Sequence, residues 1–71
     1  MEKLRPEEIY GLLRSWLNGP GIPAGVFGLV NPLTDEVVFI VRSEDPAEIE
    51  SLGLEPLDSG LLIDYLVGER R

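Results

Sequence analysis

Few side chains in this chain have the type and spacing that catalysis requires. Two adjacent carboxylate pairs, Asp35-Glu36 and Glu44-Asp45, are the candidates for acid–base chemistry. Neighbours in sequence point apart on a strand or a turn, so neither pair is expected to act on one substrate atom. The chain has no His and no Cys, its serines therefore lack an imidazole base, and Lys3 is its one lysine. We expect no enzymatic activity and no catalytic residue.

The glycines and carboxylates do not follow the spacing of a phosphate loop or a calcium loop. The stretch 19–25, GPGIPAG, lacks the lysine of a phosphate loop and leads into a predicted strand rather than a helix. No Asp-x-Asp-x-Asp-Gly pattern occurs, and the absence of Cys and His argues against zinc. We expect no cofactor and no metal. The alternative function is an accessory module for a small molecule or a divalent cation, such as an enzyme subunit, because the middle of the chain is rich in carboxylates.

The net charge of −7 lies in the middle of the chain. Positions 1–34 and 59–71 are each balanced, whereas 35–58 hold eight acidic residues against one arginine, which gives −7. Such a block repels nucleic-acid phosphates and attracts a basic protein surface. The simpler interpretation is a solvated face that keeps a small protein soluble. The candidate partner-binding residues are one apolar side chain in a loop and five carboxylates: Leu33, Asp35, Glu36, Glu44, Glu48 and Glu50.

Two apolar runs predict a β-hairpin with strands over about 26–31 and 36–42. Neither run alternates apolar with polar residues, which is typical of strands that are covered on both faces. A chain of 71 residues has little material for that cover. We therefore expect a homo-oligomer, with a dimer as the expected form, in which the hairpins build a shared sheet or pack face to face. The candidate interface residues are Val26, Leu29, Val38 and Ile40.

Helix signals flank the hairpin. Pro6 begins a predicted amphipathic helix over about 6–18, in which Trp16 belongs to the apolar side and Tyr10 to its edge. Asp45 and Glu48 form a capping box for a short helix over about 46–52. The segment over about 59–67 is compatible with a helix or with a third strand.

The chain as a whole is predicted to be one small α+β domain, 1–71. The element order is α-β-β-α followed by a C-terminal helix or third strand, with the antiparallel hairpin completed across a homo-oligomer interface. No apolar run approaches the length of a membrane span, and the N-terminus lacks an apolar signal core, so we expect a cytoplasmic protein. The expected function is a small acidic homo-oligomeric interaction or regulatory module that binds a basic partner surface.

Overall fold

The computed structural model describes residues 2–69, which contain three α-helices. The helices are α1, Pro6–Leu17; α2, Pro46–Leu52; and α3, Ser59–Glu69. The C-terminal segment, for which the sequence left helix and strand open, is therefore helical. Together with the antiparallel sheet described next, the helices confirm the predicted α+β class.

The sheet has four antiparallel strands within the described residues. They are β1, Glu2–Lys3; β2, Val26–Val30; β3, Val37–Arg42; and β4, Glu55–Pro56. Their order across the sheet is β1-β3-β2-β4. The predicted hairpin, β2 and β3, thus forms the centre of the sheet, and two-residue strands from the same chain flank it.

Local sequence signals set the helix ends. Pro6 occupies the first turn of α1, where a missing N–H costs no hydrogen bond. The Asp45 carboxylate accepts the Ala47 N–H at 3.0 Å at the start of α2, and Gly53 ends that helix in the left-handed conformation with φ 65°. The Asp58 carboxylate accepts the Leu61 N–H at 2.8 Å at the start of α3.

The two edge strands are absent from the predicted element order, which had strands only in the hairpin and, as an alternative, at 59–67. Glu2 and Lys3 pair with the end of β3, and Glu55 and Pro56 pair with the middle of β2. Two residues are too few to show a period of two, so no sequence pattern indicates these strands. Lys3 at one edge and Pro56 at the other discourage further strand pairing.

One face of the sheet, called here the first face, carries the main core. Cross-strand register and the alternation of side chains place Val26, Gly28 and Ile40 on this face. The buried core residues come from this face, from the positions that directly follow β1 and β4, and from helices α1 and α3. They are Leu4, Ile9, Leu12, Val26, Ile40, Leu57 and Leu62. Val26 and Ile40, two of the candidate interface residues, are only 3% and 1% exposed, so the protomer's own core already covers them.

The opposite face of the sheet, called the second face, is partly covered. Phe27 pairs with Val41, and Leu29 pairs with Phe39, so these four side chains share this face. Val41 is fully buried, whereas Phe27, Leu29 and Phe39 keep intermediate exposure. The Lys3 ammonium lies 4.6 Å from the centroid of the Phe39 ring, a cation–π distance.

Candidate functional site

The hairpin loop is held by hydrogen bonds among its own residues. The Asn31 carbonyl accepts the N–H of Thr34 at 3.3 Å and that of Asp35 at 2.8 Å, while the Asn31 N–H donates to the Glu36 carbonyl at 2.8 Å. The Asn31 side chain accepts the Leu33 N–H at 2.9 Å. Asp35 adopts φ 59°, a left-handed conformation that Asp tolerates better than most residues. These hydrogen bonds give the loop a defined shape.

Leu33 lies at the tip of this loop and is 93% exposed. Its neighbours Asp35 and Glu36 are exposed as well. Three of the six candidate partner-binding residues thus lie together on one loop. An apolar side chain flanked by carboxylates on an ordered loop can enter an apolar pocket whose rim is basic.

A bulge next to the loop separates the environments of two adjacent valines. Leu29 pairs with Phe39 and Val30 pairs with Val37, so Val38 is an additional residue of β3. Val37 packs against the core, whereas Val38 is 51% exposed. Val38, a candidate interface residue, therefore keeps an open surface in the protomer.

An open groove with a volume of about 600 Å³ lies beside Val38, between the loop end of the hairpin and the C-terminal half of α3. Val38, Tyr65 and Val67 contribute apolar surface to it. Two elements contribute its carboxylates. The hairpin provides Asp35 and Glu36, and α3 provides Asp64 and Glu69. We refer to it below as the β3–α3 groove.

Tyr65 in the wall of the β3–α3 groove donates its hydroxyl hydrogen to the Glu69 carboxylate at 2.9 Å. Burial of the ring, together with this hydrogen bond and the negative charge of Glu69, raises the pKa of Tyr65 above its ordinary value of 10.0. The Tyr65 hydroxyl hydrogen is therefore committed to Glu69, and the hydrogen bond ties the two side chains together in the groove wall.

The remaining acidic candidates lie elsewhere. Glu44 and Glu48 line a separate depression with Arg42, at the other end of β3 from the loop, and Glu48 accepts the Ser43 hydroxyl at 3.2 Å. Glu50 is exposed on α2. A six-residue strand spans about 17 Å between its first and last residues, so the six candidates do not form one surface. Arg42 in that depression also approaches Glu8, with Nη1 and Oε2 3.8 Å apart.

The contribution of α3 to the groove was not among the sequence-based predictions. Tyr65 and Glu69 are four residues apart, a spacing at which side chains on a helix contact each other. The spacing predicts a contact between these two side chains only if the segment is helical, which the sequence left open. The position of α3 beside β3 depends on tertiary packing, which no local pattern indicated.

Among residues 2–69, no group of three or more His, Cys, Asp or Glu side chains is placed so that it could hold a metal ion. No helix in this part of the chain has the length and apolar character needed to cross a membrane.

Comparison with known proteins found no matching family model, no matching curated protein and no matching solved structure.

Proposed function

We propose that the protein is a small acidic homo-oligomeric interaction or regulatory module that binds a basic partner surface. The observation that supports this proposal best is the 93% exposure of Leu33 at the tip of a hydrogen-bonded loop. Asp35 and Glu36 on the same loop supply the negative charge beside it. The partner would provide an apolar pocket with lysine or arginine at its rim.

The hydrogen bonds that fix the conformation of the loop matter for affinity. Binding costs conformational entropy whenever a flexible segment becomes fixed, and a loop that is already hydrogen-bonded avoids much of that cost. Burial of the Leu33 side chain in the partner's pocket would contribute to affinity, while the two carboxylates would orient the approaching partner and raise the association rate. Affinity should therefore depend on Leu33, and the association rate should depend on ionic strength.

Leu33→Ser tests the proposal directly. Immobilised wild-type protein should capture from the source cells a basic protein that the Leu33→Ser variant captures at least about ten-fold more weakly, as for an interface anchor. Leu17→Ser is the matched control, because Leu17 is an exposed leucine (67%) on a different element, α1. Both variants should keep the stability of the wild type.

The proposal is wrong if Leu33→Ser and Leu17→Ser capture the same proteins as the wild type. It is also wrong if the captured protein resists elution by salt, because the acidic residues would then play no part in binding.

Self-association is the second part of the proposal, and the second face of the sheet supports it. Phe27, Leu29 and Phe39 keep intermediate exposure there, and Leu29 is one of the candidate interface residues. Sedimentation equilibrium should give a mass near twice the 7.9 kDa of one chain at high protein concentration. A mass of 7.9 kDa at every concentration would remove this part of the proposal while leaving the role of Leu33 intact.

A further inference from the structure

The β3–α3 groove has apolar surface that the protomer leaves in contact with water. Val38 is 51% exposed and Val67 is 50% exposed, and both line the groove. A helix on the surface of a single protomer usually has one apolar side and one polar side. α3 instead carries the fully buried Leu62 on one side and the exposed Val67 on another. A segment bound in the groove would remove this second apolar surface from water.

The charges at the groove decide what kind of segment fits. Asp35 and Glu36 approach from the hairpin loop, and Asp64 and Glu69 approach from α3. The described residues that line the groove include no lysine and no arginine. Four carboxylates around a concave, partly apolar surface produce a negative potential that concentrates cations there.

We propose that the β3–α3 groove binds a short peptide segment of a partner protein in which basic side chains surround an apolar one. This inference rests on the proposed function, because it specifies the chemistry of the segment that would bind beside Leu33. The apolar side chain of the segment contacts Val38 and Val67. Its basic side chains pair with the carboxylates of the loop and of α3.

A second copy of the chain fits the groove less well. Each copy carries a net charge of −7, and two apposed grooves would bring four carboxylates against four. Like charges at an interface disfavour association. The self-association proposed above uses the second face of the sheet, where Lys3 provides a positive charge.

A synthetic peptide provides a defined probe. We would titrate the isotope-labelled full-length protein with acetyl-Arg-Arg-Val-Arg-Arg-amide and follow backbone amides by NMR. The expected result is saturable shifts at Val38, Tyr65 and Val67. The dissociation constant should rise about ten-fold between low and high salt, because the carboxylates are exposed and therefore screened. Two control peptides, with Glu replacing Arg or with Ser replacing Val, should bind much more weakly.

Matched variants separate the apolar and the charged contributions. Val67→Thr should weaken peptide binding about three-fold or more, whereas Ile63→Thr, on the same helix and 42% exposed but outside the groove lining, should leave it unchanged. Asp35→Asn should weaken binding about two- to four-fold, and Glu50→Gln on α2 should have no effect. Asn retains the tolerance for a left-handed backbone that position 35 requires.

Several outcomes would overturn the inference. Shifts confined to the Glu44 and Glu48 depression, or equal binding of the Glu-containing peptide, would each do so. Concentration-dependent shifts at Val38 and Val67 without peptide would show that a second copy occupies the groove. Leu33 does not line the groove, so Leu33→Ser should weaken partner capture at least about ten-fold while the short peptide still binds, which keeps the two proposals distinguishable. A groove that fails to bind the peptide while Leu33-dependent capture persists refutes this inference alone.

Discussion

Replacing Leu62 with alanine is expected to destabilise the protein by about 3 kcal/mol. Leu62 is fully buried and belongs to the core beneath α3, so the substitution leaves a cavity among close-packed side chains. A domain of this length has a total stability of about 4–11 kcal/mol. The loss is therefore a large share of the total and should appear as a much lower midpoint in urea denaturation.

Ile63→Ala is the matched control for Leu62→Ala. Ile63 is the next residue of the same helix and is 42% exposed, so its truncation should cost less than about 1 kcal/mol. Equal losses for the two variants would contradict the packing of α3 against the first face. A rotation of the helix about its axis would be the explanation to examine.

The variant Val41→Asp is expected not to fold. Val41 is fully buried on the second face of the sheet, and an unpaired carboxylate there costs more than about 4 kcal/mol. Its partners in the register, Phe27 and Lys3, offer one aromatic ring and one ammonium group, and that ammonium lies over Phe39. Far-ultraviolet circular dichroism should show loss of the native spectrum at room temperature.

Val38→Asp, on the same strand, isolates the effect of burial. Val38 is 51% exposed, so the same substitution should cost no more than about 1 kcal/mol, in line with the low β-propensity of Asp. A folded Val41→Asp variant would mean that water reaches the second face at this position. An unfolded Val38→Asp variant would mean that the protomer buries more of the β3–α3 groove than the structure indicates.

The central elements were predictable because their signals are local. The runs 26–30 and 37–41 consist of apolar, largely β-branched or aromatic residues, and both are strands. Pro6 and Asp45 stand where helices begin. The absence of polar alternation predicts cover on both faces, and Ile40 on the first face and Val41 on the second are at most 1% exposed, although the second face is only partly covered elsewhere.

Local sequence signals did not show which parts of the chain surround the hairpin. Glu2 pairs with Arg42, a partner forty positions away, and a two-residue strand has no periodicity to recognise. Cover for both faces is expected from a second copy, because a chain of 71 residues has little material for it. Val26 and Ile40 are candidate interface residues on that ground, and the structure places them in a buried core with helix residues of the same chain.

The loop part of the candidate site followed from sequence, and the groove did not. Leu33 stood out because an apolar residue is unusual in a polar hairpin loop. The groove requires α3 to lie beside β3 and requires the bulge that exposes Val38. Both depend on contacts between distant parts of the chain.

The short outer strands have a consequence for the behaviour of the protein at high concentration. A free ribbon with the sequence of positions 26–42, rich in Val and Phe, is the kind of segment that stacks into cross-β fibrils. Growth of a fibril requires an exposed strand edge to which strands of further chains can hydrogen-bond. Lys3 and Pro56 lie on the short outer strands at the two sides of the sheet, so we expect the folded protein to resist templated polymerisation at high concentration.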